Sequence, residues 1–187
     1  MTLDLFKDDC RASSCTVGAV VVPPNPNDVV FTPPDCAKLI VDRFKPTGRI
    51  LEPCRGRGAF TDLMPGCEWC EIEQGRDFFA WTEPVDWIVS NPPYSVFDAW
   101  LDHSFRLADN VVYLIPFAKV FKSMGTINKI RDFGGIAAVI VMDARKAGFP
   151  FGFPCGAFHF VRGWRGPMAM EFTDSRHNSL ISLTEKK

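Results

Sequence analysis

Three short stretches of this chain hold residue types that can do chemistry. The first is Ser90-Asn91-Pro92-Pro93-Tyr94, directly after an apolar run that begins at Val85. Two prolines fix φ and remove two N–H donors, so this loop offers carbonyl acceptors without competing donors. Asn91 adds a side-chain acceptor and Tyr94 a flat ring. An acceptor pair beside a stacking surface suits a planar group that bears an NH2. A rigid turn after a strand explains the prolines, but not the asparagine and tyrosine together.

The second stretch is Leu51-Glu52-Pro53-Cys54-Arg55-Gly56-Arg57-Gly58-Ala59-Phe60. A Gly-x-Gly at a strand-to-helix turn lets backbone come close to a ligand. No Gly-Lys-Ser/Thr follows, and no third glycine completes a dinucleotide fingerprint. Glu52, just before the turn, would repel a pyrophosphate and attract a cation. S-adenosylmethionine, with its sulfonium and ammonium, fits that demand. A plain structural glycine turn is the alternative. The third stretch runs from Lys146 to Gly156, where Phe149, Phe151 and Phe153 alternate with glycine and proline behind Arg145. Rings with nearby cations can flank a flipped base or a single strand. A hydrophobic loop closing the sheet edge is the other reading. Lys119, Lys122, Lys129 and Arg131 form a basic helix face for phosphates, or simply a solvated one.

Together these motifs resemble the S-adenosylmethionine-dependent N6-adenine DNA methyltransferases, over roughly Phe31 to Gly163. That family joins a Glu-Pro-x-x-Gly-x-Gly loop to an Asn-Pro-Pro-Tyr loop. Phe31-Thr32-Pro33 resembles its upstream cofactor segment, which precedes the glycine loop in the γ-type motif order. The resemblance implies a catalytic set of Asn91, Pro92, Pro93 and Tyr94. It implies that Glu52, Gly56 and Gly58 line the methionine end of the cofactor, with Pro53 and Asn91 also on the cofactor side. Glu71 then takes the ribose hydroxyls, with Glu73 competing, while Asp77 and Phe78 hold the cofactor adenine. Thr32 and Pro33 touch the carboxylate side. Solvated loop charge is the alternative for Glu71, Glu73 and Asp77. Tyr94, Phe151, Phe153, Lys119 and Lys122 are the substrate-binding candidates. Asn91 Oδ1 and the Pro92 carbonyl would accept the two N6 N–H bonds of a base flipped out of its stack.

The chain departs from this pattern twice. Only five residues separate Glu71 from Asp77, where the family usually has a helix and a further strand. Those elements must be shortened or lost, leaving the adenine side more open. Arg55 and Arg57 also occupy the glycine loop, where two cations suit a sulfonium only if they point outward.

The elements that must position these loops alternate in type. Helical stripes cover Pro34 to Phe44, Gly58 to Met64, Val96 to Ala108 and Phe117 to Ile130, the last with a kink expected at Gly125. Strand patterns cover Gly48 to Glu52, Glu68 to Ile72, Val85 to Ser90, Asn110 to Ile115, Ile136 to Met142, Ala157 to Arg162 and Met168 to Phe172. Such alternation predicts an α/β fold with a mostly parallel, seven-stranded-type sheet and helices on both faces. With the resemblance, that is a Rossmann-like methyltransferase fold. The expected organisation is an N-terminal arm over 1–30, a catalytic domain over 31–164 and a strand and tail over 165–187, with no separate target-recognition domain. Short or loose sequence recognition is the corresponding expectation.

Composition narrows the class. The chain has 187 residues, of which 47% are apolar and 23% charged, and its net charge is −1. Binding by bulk positive charge is excluded, though a local basic groove is not. No run approaches the roughly 18–20 apolar residues of a membrane span. The acidic start (Asp4, Asp8, Asp9) does not read as a signal peptide, so a cytoplasmic location is expected. Seven cysteines lack disulfide or zinc spacing; Cys67-x-x-Cys70 and Cys10-x4-Cys15 read as ordinary thiols, and no metal is expected. His103, His159 and His177 read as structural. The expected cofactor is S-adenosylmethionine. The expected partner is DNA, with a recognition subunit or a second copy of the chain. The alternatives are methylation of an RNA base or of a protein glutamine amide, or a non-catalytic cofactor-binding subunit.

Overall fold

A computed structural model describes residues 29–174 and 179–180. Most of the arm over 1–30, Cys10, Cys15 and His177 lie outside the described residues.

The chain enters through helix α1 (Pro34–Phe44). Pro34 sits in its first turn, where a missing N–H costs nothing. Cys36, Ala37, Ile40 and Phe44 form its buried stripe, and Lys45 in the left-handed region ends it before Pro46. Strand β1 (Ile50–Glu52) follows after a short link, so α1 runs antiparallel to it. The N-terminus of α1 therefore lies at the carboxyl end of β1. Next come β2 (Glu68–Trp69), β3 (Val85–Ser90), α2 (Phe97–Leu107) and β4 (Ala108–Pro116). The chain continues through α3 (Phe117–Val120), α4 (Met124–Phe133), β5 (Gly134–Asp143), β6 (Pro154–Arg162), β7 (Ala169–Asp174) and β8 (Ser179–Leu180).

The strands form one sheet in the order β2-β1-β3-β4-β6-β5-β7-β8. β2, β1, β3 and β4 are parallel, β6 is antiparallel to both β4 and β5, and β7 is parallel to β5. The expected α/β sheet is thus present, with its parallel half next to the motif loops. Alternation along β4 builds both sides of the core. Val111, Tyr113 and Ile115 pack with Phe97, Trp100 and Leu101 of α2 and Ile130 and Phe133 of α4. Val112 and Leu114 pack with α1, Phe60 and Phe149. From β1 the chain goes to β2 on one side and returns to β3 on the other. Ligands of such sheets bind at that reversal, outside the carboxyl ends of the strands.

Several expected elements form differently. Gly58 to Met64 is not an α-helix; it contains one 3-10 turn, Thr61–Leu63. Gly58 at φ 90° and Pro65 after Met64 confine the segment to Ala59–Met64, too short for a stable α-helix. The expected strand Glu68 to Ile72 stops at Trp69. Glu71 then bridges back to Arg76, and Ile72–Gln74 turns as a 3-10 segment. No further strand forms between Glu71 and Asp77, and among the described residues β2 is an edge of the sheet. Phe117 to Ile130 is two helices rather than one. The break falls at Phe121–Ser123, where Ser123 Oγ accepts the Thr126 N–H at 3.2 Å and caps α4, while Gly125 lies inside that helix.

Candidate functional site

Glu52 ends β1, and Ser90 ends its neighbour β3, so both motif loops leave the sheet side by side. The glycine loop is held from below by the start of the β2 turn. Cys70 N–H donates to the Glu52 carbonyl at 2.9 Å and Arg55 N–H to the Cys70 carbonyl at 3.0 Å. Gly56 N–H donates to Glu71 Oε2 at 2.6 Å. Glu71 therefore pins the loop as well as standing beside it. Gly56 and Gly58 have φ of 52° and 90°, the left-handed region in which a side chain is strained.

Glu52 is 1% exposed. Burial pushes its carboxyl up to about 9, against the opposing pull of the Thr61 N–H and Arg55. Its Oε2 has no hydrogen-bond partner among the described residues. Pro53 beside it is buried. Both arginines of the loop lie over aromatic rings, although Arg55 stays near enough to act on the Glu52 carboxyl. Arg57 lies 4.0 Å over the Phe31 ring, and Arg55 lies 4.9 Å over Trp69, which Arg76 also covers at 3.8 Å.

Asn91 Nδ2 donates to the Val30 carbonyl at 3.1 Å. Only the amide nitrogen can make that bond, so the side-chain orientation is fixed. Oδ1 is buried and has no partner among the described residues. Pro92 is buried, while Pro93 and Tyr94 are half-buried. The Tyr94 ring meets Phe151 edge-on, centroids 6.3 Å apart.

The segment Val30–Pro33 joins these parts. Val30 holds Asn91, and Phe31 stacks under Arg57 beside Gly56. Pro33 caps α1 and lies against Gly148 of the β5–β6 loop. Thr32 is half-buried between them, beside the positive end of α1.

Asp77 is half-buried, and its Oδ1 caps a 3-10 turn by accepting Phe79 N–H at 2.9 Å. Phe78 does not line an open pocket. It is 2% exposed and packs on Trp100 at 4.7 Å and His103 at 4.6 Å. The Phe78 ring thus belongs to the α2 side of the core. Ile72, directly after Glu71, is 51% exposed, an apolar residue inside a charged turn. Lys119 is half-buried in α3. Lys122 pairs with Asp98 at 3.4 Å, so it is engaged across to α2.

His103 lies between the Phe78 carbonyl at 3.0 Å and Arg106 at 2.9 Å, and its imidazole is held below the usual range by burial and Arg106. The five described cysteines are free thiols, and among the described residues no group of three His, Cys, Asp or Glu could hold a metal. Two surface concavities, about 620 and 540 Å³, open at the other end of the sheet, one beside Lys45 and Ile50 and one beside Arg49 and Arg162. Neither touches the motif loops. No helix among the described residues is long and apolar enough to cross a membrane.

No protein-family model matches the chain, and neither does any curated protein. Solved structures do. The methyltransferase subunit of a type I restriction-modification system from Streptococcus thermophilus superposes with TM-score 0.57 and 15% identity, over 83% of this chain and 50% of that one. A Listeria monocytogenes protein assigned to the class I S-adenosylmethionine-dependent methyltransferases gives 0.54 and 13%, over 76% and 65%. The M protein of the EcoKI type I restriction enzyme gives 0.54 and 10%, over 77% and 48%. The chain spans about half the length of the two restriction-system proteins and about two thirds of the third. At these identities the likeness is one of fold: the chain has the Rossmann-like fold of class I methyltransferases.

Proposed function

We propose that this chain transfers a methyl group from S-adenosylmethionine to an exocyclic amino group, the N6 of adenine in DNA. The observation that carries the reading is Asn91. Its amide nitrogen is committed to Val30, and its buried Oδ1 is an acceptor with no partner, at the carboxyl end of β3. A buried acceptor of this kind costs stability unless something donates to it. An NH2 group is the donor that the loop chemistry favours.

The cofactor side fits on its own terms. The Glu52 carboxyl is buried with one oxygen unpartnered, an acceptor for the ammonium of the cofactor. Gly56 and Gly58 supply the left-handed turn that carries the loop past Glu52, and the α1 N-terminus suits a carboxylate. On this reading Glu71 takes the ribose hydroxyls and Asp77 the adenine amine. S-adenosylmethionine supplies an activated methyl group on a cationic sulfur when bound. Asn91 Oδ1 and the Pro92 carbonyl accept the two N–H bonds of the target amine. They thereby favour a pyramidal nitrogen and stabilise the positive charge that grows on it. The Tyr94 ring supports the base, which has left its stack to reach the loop. Two fold neighbours belong to restriction-modification systems, which supports DNA as the acceptor.

Asn91→Ala should leave S-adenosylmethionine affinity near the wild-type value in calorimetry while slowing methylation about 10²–10³-fold, the usual loss for one transition-state acceptor. A variant that methylates adenine-containing DNA at the wild-type rate would refute the mechanism.

A further inference from the structure

The loop between β5 and β6 is an ordered pile of rings. Phe149, Phe151 and Phe153 occupy alternate positions, separated by proline and glycine. Phe149 and Phe151 lie 5.2 Å apart at 21°, and Phe151 and Phe153 lie 4.1 Å apart at 4°. Exposure grows along the series. Phe149 is 5% exposed and belongs to the α1 side of the core, Phe151 is half-buried, and Phe153 is 42% exposed. The middle ring meets Tyr94 of the motif loop edge-on. The series thus begins in the core, passes the target-amine site and ends on a flat ring in solvent.

Closing the sheet edge does not require this arrangement. Any buried aliphatic would serve at Phe149, and nothing in the core asks for a parallel ring at Phe153. The loop is also anchored and charged. Gly148, at φ 95°, abuts Pro33. The Arg145 side chain runs along Gly152, so close that a Cβ there would come within 2.6 Å of its Nε. A guanidinium therefore lies against the backbone at Gly152, the residue that links Phe151 to Phe153.

A free aromatic face with a cation beside it is the chemistry that holds an unpaired nucleotide: the base stacks and the phosphate meets the charge. A base inside a duplex already has neighbours on both faces and cannot use it. We infer that Phe153 and Arg145 dock the unpaired nucleotide next to the one that enters the Asn91 site, so that the preferred acceptor is single-stranded or locally opened DNA. This rests on the function proposed above and names the form of its substrate.

The test is fluorescence anisotropy of a short labelled DNA strand of mixed sequence, alone and annealed to its complement, with the full chain at fixed salt. The single strand should bind more tightly than the duplex. Phe153→Ala should weaken single-strand binding about ten-fold, as the loss of one base–aromatic stack does, and Phe153→Trp should restore it. Duplex binding should not change in either variant. Equal affinity for the two DNA forms, or a Phe153→Ala variant that binds the single strand like wild type, would overturn the inference. Calorimetry of the same variants with S-adenosylmethionine, and methylation assays on both DNA forms, separate that outcome from failure of the methyltransferase reading.

Discussion

Glu52 holds its proton because it has almost no water and no full set of donors. With its carboxyl pushed up to about 9, it is neutral at pH 7 when no ligand is near. A cation placed against it reverses that balance. Cofactor binding should therefore release about one proton at pH 7, and affinity should rise with pH until about 9. Calorimetry in buffers of different ionisation enthalpy measures the proton directly; Glu52→Gln should release none. A wild-type signal that does not depend on buffer would place the cation elsewhere. The sign for stability is the opposite of that for binding. The folded state keeps a proton that the unfolded chain gives up near 4.3, so the ligand-free fold weakens as pH climbs from there toward 9. Much of this site is legible in the sequence because its logic is local: two glycines in a turn, and an asparagine before two prolines. Phe78 is not, because its ring is set by contacts with Trp100 and His103, residues of a later helix. Nor is the Arg57–Phe31 stack, which joins residues far apart in sequence.

Among the elements, β6 is where the two halves of the sheet and α1 meet. His159 on β6 stacks on Trp87 of β3 at 5.0 Å and 19° and tilts against Phe44 of α1 at 5.2 Å. Its Nε2 bonds Asn110 Oδ1 on β4 at 3.0 Å. Burial, with Arg43 adding to it, lowers this imidazole to about 4. A depressed histidine contributes stability that is present above about 6.5 and is lost as pH falls toward 4. Melting temperature measured across that window should drop for the wild type and flatten for His159→Phe. Parallel curves would assign the acid loss to carboxylates instead. The long elements were readable from their apolar stripes, as α1, α2 and β4 show. The short ones were not. The break after α3 follows from the Ser123 cap, a signal overshadowed by the nearby Gly125. The turn after Gly58 follows from backbone angles that no periodicity reports.

At the scale of the whole molecule, the carboxyl ends of β1 and β3 gather three loops onto one segment, Val30–Pro33. The aromatic loop approaches from the β5–β6 side, and the glycine loop from the β2 side. Among the described residues no strand lies beyond β2, and the turn over Glu71–Asp77 exposes Ile72, Glu73, Gln74 and Arg76. The nucleic-acid side and the adenosine side of the proposed site are thus opposite flanks.

That edge of the sheet bears on how the protein would behave over many turnovers. If spent cofactor leaves past the β2 edge, its exit is not roofed by the strand held at Tyr94 and Phe153. Product could then be exchanged for fresh cofactor while the polymer stays in place, and the protein would work processively. Long DNA treated with the protein at a low protein-to-DNA ratio should carry its methyl groups in clusters on few molecules, as single-molecule sequencing would record. Methyl groups scattered singly over many molecules would mean that each transfer ends with release of the strand.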